Sequence, residues 1–314
     1  DLQKAILHSE EALAAMPRSS PNRAAGHNNL GVVFFTRFER KGDLGDLRKA
    51  IKHSEEALAA TPQDHPDRAS RHNNLGHWLS ARFERIGDLD DLQRAIKHGQ
   101  EALAATPQDH PDRAMRHHNQ GEWLSARFER IGNLDDLREA IQHGEETIAA
   151  TPQDHPNRGV ANNGLGARLY LKFERLGDLR DLQKAITHGA EALAVTPQDH
   201  PDRANAYNNM GNSFLRRFKR IGDLSDLQKS IKYYEEALAA SPQNHPSRAD
   251  RQGNMGGAFF RRFERIGSLG DLEKAIECGE EAFAATPQDH PARAGICSYL
   301  GNVFCRRFQR IGDI

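Results

Sequence analysis

The chain has 314 residues and a formal net charge of −1, with 43 Lys and Arg against 44 Asp and Glu, so its charge gives no reason to expect a nucleic-acid or membrane partner. Hydrophobic residues make up 37% of the chain, and no apolar run approaches the roughly 20 residues that a membrane-spanning helix needs. No secretory leader is recognisable and the chain opens on Asp1, which indicates a piece of a longer cytoplasmic protein.

The sequence repeats every 45 residues without a slip. Each period opens on Asp-Leu, carries two recurring prolines and ends on a recurring glycine. A chain of such units grows by stacking rather than around one central core. Residues 1–314 are therefore predicted to be a single repeat domain, whose units start near residues 1, 46, 91, 136, 181, 226 and 271.

Two helices are predicted in each period. In the second period a short helix over about Leu47 to Ala60 has apolar residues at helical spacing, with Asp46 at its N-cap and Pro62 after its end. A longer helix is predicted from Pro66, a favoured first helical residue, to about Ile86. Gly87 follows as a left-handed C-terminal stop. Short connections make such neighbouring helices antiparallel.

Recurring apolar residues predict how these helices pack. One helix pair cannot bury its apolar face alone, but stacked pairs can. The predicted fold is therefore all-α, an α-α superhelix of seven 45-residue helix pairs. A Phe column is expected to form its spine, and a mid-helix Gly column, which costs up to about 1 kcal/mol per residue against Ala, indicates close helix–helix approach. These columns are Phe38, Phe83, Phe128, Phe173, Phe218, Phe263 and Phe308, and Gly31, Gly76, Gly121, Gly166, Gly211, Gly256 and Gly301.

The second and third periods carry the residue order of tetratricopeptide repeats, which is Leu-Gly, a large apolar residue, two alanines and a proline. Here these residues are Leu75, Gly76, Leu79, Ala95, Ala102 and Pro107. The chain resembles a tetratricopeptide-repeat array that starts on a second helix and ends on a first, with units longer than the usual length of about 34 residues. The resemblance implies a solenoid whose first helices line a groove for a peptide or protein.

Two runs in the second period resemble particular long-repeat arrays. Residues 65–76 look like the repeats of kinesin light chain, and residues 82–92 are similar to arrays of fungal signalling proteins. Arrays of the second kind are typically joined to a CHAT protease-like domain or a NACHT nucleotide-switch domain. The resemblance implies that the chain is the regulatory arm of such a protein, as one alternative to a scaffold.

The sequence contains no recognisable motif for catalysis or cofactor binding. There is no phosphate-binding Gly-rich loop, His-Glu-x-x-His or Gly-x-Ser-x-Gly, so no enzyme activity, cofactor or catalytic residue is predicted. A His recurs before the second Pro of six periods, but residues one period apart cannot converge on one ion. His72, His77, His117 and His118 are closer together, yet no second set of ligands accompanies them. No metal site is therefore predicted.

Three charged columns do not vary along the chain, so they cannot discriminate between parts of a ligand. They are interpreted as structural, either as inter-helix ion pairs or as Arg at helix C-termini. The columns are Glu11, Glu56, Glu101, Glu146, Glu191, Glu236 and Glu281; Arg23, Arg68, Arg113, Arg158, Arg203, Arg248 and Arg293; and Arg40, Arg85, Arg130, Arg175, Arg220, Arg265 and Arg310.

Asn residues recur on the first helix of the repeats. An amide both donates and accepts hydrogen bonds, so it can pair with the backbone of an extended peptide of any sequence. The resemblance to kinesin light chain and chaperone-adaptor repeats implies this role, while the alternative is that the amides bond between helices. The candidate groove residues are Asn28, Asn73, Asn119, Asn163, Asn208 and Asn254.

Positions that vary on this regular scaffold are the candidates for specificity. They are His77, Glu122, Tyr170, Arg216, Arg261 and Arg306. Because guanidinium groups grip carboxylates, the three Arg predict a ligand with an acidic segment over the last three units and a less charged part over the first ones. The alternative is a solvated face, in which Glu264 neutralises Arg261.

The leading functional hypothesis is a non-catalytic scaffold or sensor module that binds a peptide or protein. An architectural spacer is the alternative. The two terminal helices lack a neighbour, which predicts head-to-tail self-association as a further property.

Overall fold

The computed structural model describes residues 1–17, 20–243, 245–288 and 290–312. These residues form fourteen α-helices and no β-strand, which confirms the all-α prediction. In chain order the helices are α1 (Leu2–Ala15), α2 (Arg23–Lys41), α3 (Leu44–Ala59), α4 (Arg68–Ile86), α5 (Leu89–Ala104), α6 (Arg113–Ile131), α7 (Leu134–Ala150), α8 (Arg158–Leu176), α9 (Leu179–Val195), α10 (Arg203–Ile221), α11 (Leu224–Ala239), α12 (Arg248–Ile266), α13 (Leu269–Ala285) and α14 (Ala292–Ile311).

Long and short helices alternate, as the sequence predicts. From α2 to α12, each long helix packs against the short helix that follows it. The chain groups into two compact units, Asp1–Thr151 with α1 to α7 and Pro152–Ile314 with α8 to α14. The continuity of one repeat domain over the whole chain stays a prediction.

A left-handed glycine ends each long helix and turns the chain into the short one. Gly42 has φ 71°, and its N–H donates to the Phe38 carbonyl at 2.7 Å. Asp43 then caps α3, because its carboxylate accepts from the Gly45 N–H at 2.8 Å. The predicted glycine stop is confirmed at all seven positions. The prediction of Asp46 as the N-cap is wrong, because the short connection starts the helix three residues earlier.

From the second period onward, the Asp of each Asp-Leu pair is instead a buried ion-pair partner. Arg37 in α2 holds the Asp46 carboxylate in bidentate fashion, with Nε 2.6 Å from Oδ2. This hydrogen bond lowers the pKa of Asp46. The same link between a long and a short helix is formed by Arg82 and Asp91, Arg127 and Asp136, Lys172 and Asp181, Arg217 and Asp226, and Arg262 and Asp271.

The long helices α2 to α12 begin two residues later than predicted, and α14 begins one residue later. Pro66 and Asp67 form a turn, in which the Arg68 N–H donates to the His65 carbonyl at 2.9 Å, and α4 starts only at Arg68. The His65 Nδ1 accepts from the Asp67 N–H at 3.1 Å and stabilises this turn. The recurring His is therefore a turn residue, and the same bond forms at His110, His155, His200, His245 and His290.

The Phe column lies in the core of each unit. Phe38, Phe128, Phe173, Phe218 and Phe263 are buried, and Phe83 is half-buried. Phe308 in α14 is 52% exposed, because no later helix packs on it in the described chain. The spine prediction is confirmed inside the stacks.

The mid-helix glycines allow close helix approach, as predicted. A Cβ at Gly76 would lie only 3.2 Å from the Ala95 carbonyl oxygen in the next helix and would collide with the Trp123 ring. Gly301 in α14 has open space around it, since no described helix follows.

In the described part of the chain, none of the helices is long and apolar enough to cross a membrane.

Candidate binding groove

The Asn residues form hydrogen-bonded ladders between consecutive long helices. In the first unit the Asn74 amide donates to the Asn28 oxygen at 3.3 Å, and Asn119 donates to Asn73 at 3.1 Å. In the second unit, Asn209 donates to Asn163 and Asn254 donates to Asn208, both at 3.1 Å. The structure therefore brings each candidate Asn next to an Asn of the neighbouring repeat.

These ladders show the inter-helix bonding that was the alternative to ligand binding. Each donor–acceptor pair occupies one amide hydrogen and one lone pair, while an amide has two of each. The ladders hold the amides in register along one face of each unit. Contact of the same amides with a peptide backbone stays a prediction.

The three Arg of the varying column lie on the second unit with different partners. Arg216 Nε donates to the Tyr170 hydroxyl at 3.0 Å, and its guanidinium pairs with Glu174 at 2.8 Å. Arg261 pairs with Glu264 at 2.7 Å, as the solvated-face alternative predicts.

Arg306 donates to the Gln309 side-chain oxygen at 3.1 Å. Together with Glu264 and Gln309 it lines a shallow depression between α12 and α14. The sequence analysis missed Glu174 as the partner of Arg216, because the two residues belong to different repeats.

The cations of the second unit lie within electrostatic reach of one another. Desolvation, followed by the positive charges of Arg216 and Arg261, lowers the pKa of Lys219. Desolvation also raises the pKa of the Tyr170 hydroxyl. This face therefore carries positive charge that Glu174 and Glu264 offset only in part. We call Arg216, Lys219, Arg261 and Arg306 the basic face.

The corresponding face of the first unit is acidic. His77 meets Phe35 edge-on, with 5.2 Å between ring centroids, and the charges of Glu39 and Glu84 act on its imidazole. Desolvation and the neighbouring charge of Glu122 raise the pKa of Glu129. Carboxylates from successive repeats therefore lie near His77, and the contact of this face with the less charged part of a ligand stays a prediction.

One of the unvarying Arg columns binds the end of the preceding short helix. Arg68 donates to the Thr61 carbonyl at 2.7 Å, and Arg203 donates to the Leu193 carbonyl at 3.0 Å. These are carbonyls at the negative end of the helix dipole. The structural interpretation of this column is confirmed.

The structure also assembles a set of His residues that the sequence analysis missed. Two Nδ1 atoms 26 residues apart meet at 3.1 Å between His27 and His53, and the same pairing joins His72 to His98 at 3.0 Å and His117 to His143 at 2.9 Å. The sequence does show that His27, His72 and His117 recur at the 45-residue period, and that His53, His98 and His143 recur at the same period. The contact between these two columns could not be read from the sequence, because it joins two different helices.

Comparisons with known proteins agree with this architecture. The tetratricopeptide repeat family model matches residues 203–247. PilW, a type IV pilus biogenesis factor, is similar with a TM-score of 0.58 and 16% identity, over 90% of this chain and 98% of that one. PilF of Pseudomonas aeruginosa has a TM-score of 0.57 and 15% identity over 95% and 99% of the two chains. A TPR protein of Thermus thermophilus has a TM-score of 0.51 and 18% identity over 74% and 98%.

No curated protein matches the sequence. The family model thus covers one 45-residue unit of the chain, and the matched structures share its fold of stacked helix pairs.

Proposed function

We propose that the chain is a non-catalytic scaffold that binds an extended peptide or protein segment, with the acidic part of the ligand on the basic face. The observation that carries the proposal is the clustering of Arg216, Lys219 and Arg261 on the face of the long helices whose residues vary between repeats. Recognition of a carboxylate by Arg is favoured over Lys, because the planar guanidinium binds both oxygens at once.

The Asn ladder of the second unit supports the same proposal. Asn163, Asn208 and the amides that bond to them present further donors and acceptors at a repeat spacing. Main-chain groups of an extended segment need such partners when they leave water. The acidic groups then supply selectivity, since they must displace Glu174 and Glu264 from Arg216 and Arg261.

Replacing Arg216, Arg261 and Arg306 together by Ala should weaken the binding of acidic peptides selected from a library roughly tenfold, because exposed charge pairs contribute about 0–1 kcal/mol each. Most of this difference should disappear at high salt, where exposed charges are screened. Fluorescence anisotropy with the selected peptides at two ionic strengths measures both effects.

The matched control replaces Arg220, Arg265 and Arg310 by Ala. These residues lie on the same three helices, so the control variant loses the same amount of positive charge. This variant should bind the peptides almost as well as the wild-type chain. Selected peptides without an acidic bias, or equal losses in the two triple variants, would show that the basic face is only a solvated surface.

A second property, head-to-tail self-association, is favoured by the apolar surface of α14. Phe304, Phe308 and Ile311 are 40%, 52% and 45% exposed there. Replacing Phe304 and Phe308 by Glu should abolish any concentration-dependent association that sedimentation velocity detects. Replacing Ile266, which is equally exposed but lies at the end of an internal helix, should leave the association unchanged. A wild-type chain that stays monomeric at high concentration would rule out this property.

The proposed setting is the cytoplasm, with the array as the sensing arm of a longer signalling protein that has a CHAT or NACHT domain. This part of the proposal rests on the resemblance of residues 82–92 alone. The full-length coding sequence tests it directly.

A further inference from the structure

The first His pair is joined by a carboxylate to form a compact three-residue cluster. His27 lies on α2, while His53 and Glu56 lie three residues apart on the same face of α3. The His27 Nδ1 is 3.1 Å from the His53 Nδ1 and 2.9 Å from the Glu56 Oε2, and the His53 Nδ1 is 3.5 Å from the same oxygen. Three possible ligand atoms therefore converge on one point between the two helices.

These three distances match the spacing of ligands around a transition-metal ion. Zn–N and Zn–O bonds of about 2.0–2.2 Å at tetrahedral angles place neighbouring ligand atoms about 3.3 Å apart. The three atoms in the cluster are 2.9, 3.1 and 3.5 Å apart. An ion could therefore bind all three without a change in the helix packing.

One N–H on His27 can serve both of its contacts, but the His53 Nδ1 and the Glu56 oxygen then face each other at 3.5 Å as two acceptors. A neutral imidazole carries one N–H, and two facing Nδ1 atoms cannot both be protonated without repulsion. One shared proton would have to satisfy contacts among His27, His53 and Glu56. A cation at the centre attracts the lone pairs of all three atoms at once.

The chemical state of the cluster suits a metal ion. A metal ion binds imidazole through a nitrogen lone pair, and the Nδ1 atoms of both His27 and His53 lie in the cluster beside the Glu56 oxygen. The charges of Arg23 and Lys52 act against a cation here. Glu56, and Glu10 on α1, offset them.

We propose that His27, His53 and Glu56 bind a divalent first-row transition ion such as Zn²⁺, with one coordination position left open. Two His and one carboxylate are a common ligand set for zinc, and an open position accepts water or a ligand group. His117, His143 and Glu146 form a second site of the same composition, whose ligand atoms lie within 4.8 Å of one another. There His117 meets His143 through Nδ1 at 2.9 Å but meets Glu146 through Nε2 at 3.0 Å, so a side-chain movement is needed to bring one atom of each residue to a common ion, and this site binds more weakly.

The middle repeat offers a built-in control. His72 and His98 make the same Nδ1 contact at 3.0 Å, and Glu101 occupies the position of Glu56, but its carboxylate does not converge with the two imidazoles as it does in the other two sets of the described residues. Two protein ligands hold zinc less well than three. The tighter sites are therefore expected at His27, His53 and Glu56 and at His117, His143 and Glu146, and a weaker one at His72 and His98.

The test is a zinc titration of the full chain, without a purification tag, in competition with a chromophoric chelator. Glu56→Gln should weaken the tightest site at least about tenfold, because it removes one of three ligands, and the loss even of a carboxylate that only supports a ligand commonly costs that much. Glu56 has a side chain that is 40% exposed, so this variant should keep the wild-type circular dichroism spectrum. His53→Asn should have the same effect, and His98→Asn should have none.

Cobalt provides an independent readout of the ligand set. Co²⁺ in the tight site should give the absorption bands of a four- or five-coordinate ion, and Glu56→Gln should alter them. Zinc affinity that Glu56→Gln leaves unchanged, or equal losses in Glu56→Gln and His98→Asn, would show that the ion binds scattered surface histidines and would overturn the proposal.

Discussion

Phe173→Ala should lower the free energy of unfolding by roughly 3–5 kcal/mol, the usual cost of removing a buried aromatic side chain. Phe173 is buried and packs in a cluster with Leu182, Ile186 and Phe214. Because each repeat is stabilised mainly by its neighbours, the cavity weakens the packing of α8 on α9 and of α9 on α10. Urea unfolding followed by circular dichroism measures the change.

The matched control is Phe308→Ala at the end of the array. Phe308 occupies the same position of its repeat but is 52% exposed, so its removal should cost much less than that of Phe173. Equal shifts of the urea midpoint for the two variants would contradict the assignment of the Phe column as a core spine.

Asp226→Ala should destabilise the chain by about 3 kcal/mol, because it leaves the Arg217 guanidinium without its carboxylate. Asp226 has a side chain that is only 3% exposed, and it accepts two hydrogen bonds from Arg217 at 2.6 and 2.8 Å. The same Arg also donates to Gln183 on α9 at 2.8 Å, so the pair links three successive helices. Thermal unfolding by calorimetry measures the loss.

The chain itself supplies the control for this pair. In the preceding repeat Lys172 replaces Arg and reaches Asp181 with one bond of 3.0 Å. Arg217→Lys should therefore cost much less than Asp226→Ala, since a charge partner remains. If Asp226→Ala were no worse than Arg217→Lys, the pair would be a surface contact of little consequence.

The sequence predicts the presence and order of the helices more accurately than the residues at which they begin. General residue preferences favour Asp46 and Pro66 as helix starts. In the structure, Asp43 caps α3 and α4 starts at Arg68, because the bonds of Gly42 and His65 set where each turn closes. Residue preference alone could not decide whether Asp43 or Asp46 is the N-cap of α3, because both are aspartates.

Groove residues could be selected from the sequence, but their partners could not. The columns of Asn28 and Arg216 were identified because they recur or vary at a fixed period. Their contacts with Asn74 and Glu174 join different repeats, and both change the chemistry that each residue offers to a ligand. Whether these residues bind a peptide is still a prediction.

The sequence by itself determined the period, the two helices of each repeat, the left-handed glycines and the buried Phe column. Each of these features follows from local backbone preferences or from the spacing of apolar residues along one helix. These local signals recur in each of the seven periods. Only the tertiary structure decided that Asp46 pairs with Arg37 and that His27 meets His53 and Glu56. These contacts depend on the rotation and distance of two packed helices, which a pattern along one chain does not specify.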